Sequence, residues 1–191
     1  MAAEALVENN PAAYFGTEGE ATIEYDEDGT DELILSGALG GIDIQMPQAA
    51  DALTLPVVVT EQYPKGLGHT NSDIQALLPG NTPIHEKTAF SAWQVDAFVE
   101  TLKSSQCQQV FLTGMETHIC ILQTALDLLK QGYEVFVIEE AVCSRHKEKH
   151  QNALSRLREA GAIITNVESL LFECLGDAKH PEFKTLSKLI I

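Results

Sequence analysis

The first 64 residues contain no lysine or arginine, although they hold thirteen Asp and Glu residues. The rest of the chain carries fifteen acids against twelve bases, and the whole has a net charge of −16. Such a surface repels phosphate backbones and anionic lipid, so neither nucleic acid nor a membrane is expected as a partner. No run of about eighteen apolar residues occurs, which removes the usual sign of a spanning helix. The acidic start, with Glu4, Glu8, Glu18 and Glu20, lacks the basic head and apolar centre of a secretory leader, and a cytoplasmic location is expected. The cysteines Cys107, Cys120, Cys143 and Cys174 form no C-x-x-C pair and no zinc spacing, as suits free thiols in a reducing compartment. His69, His85, His118, His146, His150 and His180 are scattered without D-x-H or H-E-x-x-H spacing, and no metal site is expected. Gly66-Leu-Gly68 lacks the strand-to-helix context of a dinucleotide fingerprint, so no cofactor is expected either.

What remains is a chain of 191 residues, 45% hydrophobic, sized for one core. Short apolar runs at Pro56-Val-Val-Val-Thr60, Gln109-Val-Phe-Leu-Thr113, Tyr133-Glu-Val-Phe-Val-Ile138 and Ala162-Ile-Ile-Thr165 suit strands buried on both faces. Helical patterns lie between them. Ser91-Ala-Trp-Gln94 has capping-box spacing ahead of Val95, Phe98, Val99 and Leu102. Thr117 to Gln131 repeats apolar residues at three and four and stops at Gly132, and Lys147 to Ala160 does the same before Gly161. This alternation predicts an α/β fold, a mostly parallel sheet with helices on both faces. A last helix is expected from Pro181, with Phe183, Leu186 and Leu189 as its stripe, docked on the sheet or on a neighbouring subunit. Residues 1–40 form a separate acidic segment, either a hairpin of Ala21–Tyr25 and Glu32–Leu35 around Asp28-Gly29 or a mobile arm, with the domain over 41–191.

Gly114-Met-Glu-Thr-His-Ile-Cys120 leaves an apolar strand and enters a helix. In parallel sheets this carboxyl-end turn is where ligands bind, and the helix N-terminus favours the thiolate, the nucleophilic form of cysteine. The plainer alternative makes Cys120 a small core residue among Ile119, Ile121 and Leu122. His118 is two residues away and would point to another helical face, so a Cys120–His118 dyad is not expected. Lys87, in the segment His85-Glu-Lys-Thr-Ala-Phe-Ser91, is read as a loop residue. It is either a solvated charge or a cation reaching the same end of the sheet.

These segments resemble a known family. Gly114 to Leu129 is similar to the nucleophile segment of the isochorismatase-like cysteine hydrolase superfamily. Thr60-Glu-Gln-Tyr-Pro-Lys-Gly-Leu-Gly68, Lys87-Thr-Ala-Phe-Ser91 and Gly176 to Lys184 resemble its isochorismatase domain-containing branch. The resemblance implies a Rossmann-like fold and a catalytic set of Cys120, Lys87 and an aspartate. Asp43, in Gly41-Ile-Asp-Ile-Gln45 at the end of a first central strand, is the matching aspartate. It also implies a cis peptide at Met115-Glu116 and an oxyanion hole from the backbone N–H groups of Glu116 and Cys120. Metal-binding members carry Asp and His where Gln62 and Pro64 stand here. The N-terminal part is altered, because only Gln45 to Leu55 separate the Asp43 motif from the next strand.

The expected activity is hydrolysis of a small amide or related carbonyl compound. The alternatives are an impaired relative that serves as a ligand-binding or oligomeric scaffold, and a thiol-based redox role for Cys120. A homo-oligomer is expected.

Overall fold

The computed structural model describes the backbone of residues 12–15, 21–25, 33–37 and 42–190, and side chains from Met46 to Ile190. Five strands form two parallel sheets. β4 (Val59–Gln62) pairs with β5 (Ile84–Lys87). β6 (Gln109–Met115), β7 (Glu134–Cys143) and β8 (Ile163–Thr165) lie side by side in that order. The crossovers run through α4 (Asp96–Ser104), α5 (Leu122–Lys130) and α6 (Lys147–Glu159). Among the described residues β4 hydrogen-bonds only to β5, and β6 only to β7, so the layer is in two parts.

Helices cover both faces, and β7 shows why. Its side chains alternate, so Val135 and Val137 enter one core with Phe98, Leu102, Leu122, Ala125, Leu128, Leu154 and Leu157. Ile138 enters a second core with Ala49, Leu170, Leu171, Leu175 and Leu186. The first core is built on α4, α5 and α6. The second is built on α1 (Ile42–Ala52), α7 (Val167–Leu175) and α8 (Phe183–Ser187). α7 is capped twice: Asn166 Oδ1 accepts from Ser169 N at 2.7 Å, and Glu140 Oε2 accepts from Val167 N at 2.8 Å.

Several expectations need correction. Lys87 is the last residue of strand β5, not part of a loop; Ile84-His-Glu-Lys has no buried-strand pattern because Ile84 and Glu86 are exposed, and among the described residues the strand pairs with β4 alone. Ser91 Oγ does accept from Trp93 N, at 3.3 Å, but it caps a short 3-10 turn, Ala92–Gln94, and α4 begins after it. Of the two dockings expected for the last helix, the chain's own core takes it: Leu186 is fully buried, and Phe183, Leu189 and Ile190 pack on the second core.

In the N-terminal part, β2 (Ala21–Tyr25) pairs antiparallel with β1 (Ala12–Phe15) and with β3 (Leu33–Gly37), Tyr25 lying opposite Leu33. The expected turn at Asp28-Gly29 lies outside the described residues. Asp43 does not end a strand. It sits in the first turn of α1, which occupies the place of a crossover into β4 and whose Ala, Met and Gln residues favour helix.

Candidate functional site

β4 and β5 end together, with Gln62 paired to Lys87 in register, and both residues face the turn that follows β6. β6 is broken at its end. Its register with β7 shifts between Leu112 and Gly114, and Gly114 takes φ +103°, a conformation that L side chains avoid. The Met115–Glu116 peptide is cis, at the position implied by the family resemblance. Thr117–Ile121 then forms a wide π-type turn, in which Ile121 N donates to Glu116 O at 3.2 Å, before α5 begins. Cys120 lies in this turn.

The structure brings Cys120 and Lys87 together. Lys87 is 6% exposed, and its Nζ donates to Gln62 Oε1 at 2.5 Å, Phe90 O at 3.1 Å, Ala89 O at 3.2 Å and Cys120 Sγ at 3.5 Å. Gln62 Oε1 is 3.9 Å from Cys120 Sγ, and its Nε2 donates to Thr88 O at 2.9 Å. The segment after Lys87 is tied to the helix after Cys120 by Ser91 Oγ donating to Asp127 Oδ2 at 2.6 Å and Ala92 N donating to Thr124 Oγ1 at 3.0 Å. These bonds fix the spacing of the lysine and the thiol across two sheets. A buried ammonium beside sulfur favours negative charge there as it develops.

His118 is turned elsewhere. Its Nδ1 is 2.9 Å from Ser144 Oγ and 3.3 Å from Glu116 Oε2, while Arg145 Nε donates to Glu116 Oε1 at 2.6 Å. Burial holds His118 below the ordinary histidine range; Glu116 opposes this, and Lys149, Arg145 and His146 add to it. Thr117, fully buried, pairs through Oγ1 with His150 Nδ1 at 3.0 Å and anchors the turn to α6. Asp43 has a described backbone, but its side chain lies outside the described residues. Among the described residues no group of three or more His, Cys, Asp or Glu side chains is arranged to hold a metal ion.

Sequence reasoning missed Gln62 as a member of the site, noting only that it stands where other proteins carry an aspartate. It also missed Thr124 and Asp127. The available signal for Gln62 was its place at the carboxyl end of a strand beside the one that carries Lys87.

Four similarities to known proteins bear on this arrangement. A family model described as the isochorismatase domain matches residues 42–169. Isochorismatase domain-containing protein 2 of Xenopus laevis is 42% identical over 147 residues, 77% of this chain and 70% of that protein. A secreted isochorismatase effector of Phytophthora sojae is 44% identical over 149 residues, 76% of this chain and 70% of its own. Among solved structures, the MAR1 ribonuclease of Caenorhabditis elegans superposes with a TM-score of 0.75 at 42% identity, covering 78% of this chain and 77% of that one.

Proposed function

Starting from a chain that belongs to the isochorismatase family, we propose that it is a cysteine hydrolase of a small amide or related carbonyl compound. The observation that carries this reading is the 3.5 Å contact between Lys87 Nζ and Cys120 Sγ at the carboxyl end of the strands.

In this reading Asp43 takes the proton of the Cys120 thiol, and the sulfur attacks the carbonyl carbon. The C=O π pair moves to oxygen, where the backbone N–H groups of Glu116 and Cys120 receive it, while Lys87 balances the charge near sulfur. The tetrahedral adduct expels the amine, which takes up the proton. Water then cleaves the thioester and restores the thiol. Asp43 is assigned from the sequence motif, and its place in α1 favours a second reading, a relative that binds a small ligand without turning it over.

The test is amine release from a panel of small amides by the purified protein. We expect Cys120→Ser to abolish turnover, Lys87→Met to lower it by about 10²- to 10³-fold and Asp43→Asn to lower it as well. Failure of every amide, with Cys120 alkylation still dependent on Lys87, would favour the second reading. The worm relative is named a ribonuclease, so RNA cleavage is a necessary further arm of the assay. The charge of −16 opposes RNA binding, and we expect no cleavage. No helix among the described residues is long and apolar enough to cross a membrane. A cytoplasmic location and a homo-oligomer belong to the proposal and are read by cell fractionation and light scattering.

A further inference from the structure

We infer that Gln62 is a positioning residue for the Lys87–Cys120 pair, an uncharged acceptor that aims the ammonium at the sulfur without neutralising it. This deepens, and rests on, the reading of Cys120 as the nucleophile.

The amide has one orientation. Nε2 donates to Thr88 O, so Oε1 is the end turned to Lys87; the flipped amide would set its N–H donors against the ammonium. The acceptors around Lys87 differ in what they fix. Ala89 O and Phe90 O lie two and three residues further along the same segment and travel with it. Gln62 belongs to β4, so it ties the ammonium to a separate strand. An ammonium has three N–H donors, and here four acceptors surround it, with sulfur the most distant at 3.5 Å. The three oxygens are uncharged and leave the positive charge unspent. A carboxylate in place of the Gln62 amide would compete with sulfur for that charge.

Among the described residues, four titratable groups of neighbouring elements are engaged elsewhere. Glu61 bonds to His69 and Thr70, Glu116 to Arg145, and Asp127 to Ser91 and Gln94; His118 meets Ser144. Among the described residues Lys87 is the charged side chain in contact with Cys120 Sγ.

The test is the rate of Cys120 alkylation by iodoacetamide across pH in the full chain, read on the Cys120 peptide by mass spectrometry. Variants are Gln62→Glu and Gln62→Met, each in the wild-type and Lys87→Met backgrounds, with melting curves to verify folding. We expect Gln62→Glu to slow alkylation about tenfold at neutral pH and to move its pH profile to the alkaline side. Gln62→Met, which keeps the site neutral, should slow it less. The Gln62→Met effect should vanish in the Lys87→Met background, because Gln62 acts through that cation, and the Gln62→Glu effect should shrink there to the direct repulsion between the new carboxylate and the sulfur 3.9 Å away. A Gln62→Glu protein alkylated at the wild-type rate, or an equal slowing with and without Lys87, would overturn the inference and leave the nucleophile reading intact. If Gln62→Glu does not fold, the Gln62→Met pair decides on the same criterion. A wild-type Cys120 that reacts no faster than in Lys87→Met would instead remove the hydrolase reading itself.

Discussion

The carboxylate of Glu61 lies one residue before Gln62, is 6% exposed, and holds the segment after β4 in place. Its Oε1 accepts from Thr70 N and Thr70 Oγ1, each at 2.8 Å, and its Oε2 lies 2.8 Å from His69 Nδ1. Glu61→Gln keeps an oxygen for Thr70 but removes the charge and sets an amide N–H₂ toward His69. A hydrogen bond to a charged group contributes about 1.5–3 kcal/mol, and a neutral one about 0.5–1.5 kcal/mol. Each Thr70 bond therefore loses about 1 kcal/mol. The His69 pairing is discounted because that ring is 68% exposed and screened by solvent. We expect a loss of about 2 kcal/mol in urea unfolding at neutral pH, or about 4–8 °C in melting temperature. The pH dependence has a definite sign. Burial raises the Glu61 value, but the bonds from Thr70 and His69 outweigh it and leave it below the ordinary glutamate range. The stabilisation is thus fully present above about pH 4.3 and is lost as pH falls through the lower folded value. The gap between wild type and variant should close over that window. A gap under about 0.5 kcal/mol at neutral pH, or one that pH does not alter, would refute the reasoning.

Leu128 is fully buried where α5 meets β7, and Leu128→Ala should cost about 2–5 kcal/mol in the same assay. His150 is held below the ordinary histidine range by burial, against the pull of Glu139, so the unfolded chain takes up its proton first as pH falls. Stability should therefore decline below about pH 6.5, and His150→Gln should flatten that decline; an unchanged slope would count against this assignment.

Much of the fold was readable because its elements are local. The stripes of α5 and α6 and their stops at Gly132 and Gly161 need only neighbours in sequence, and both glycines take positive φ. Cys120 was found from its place between a strand and a helix. Three features escaped for physical reasons. Among the described residues β5 pairs with β4 alone, and it carries no buried-strand pattern. Asp43 matched a strand-ending motif, yet the stretch around it has the composition of a helix. Gln62 meets Cys120 across 58 residues of sequence, and no periodicity records such a contact.

Lys87 ends a strand of one sheet, and Cys120 follows a strand of the other. Their contact is therefore also a seam, closed by Gln62 beside it and by the Ser91–Asp127 and Ala92–Thr124 bonds behind it. A group attached to the sulfur acts as a wedge in that seam. Occupancy of the thiol and cohesion of the two parts of the sheet then meet at one joint, and we expect a bulky adduct at Cys120 to lower the melting temperature more than a small one does.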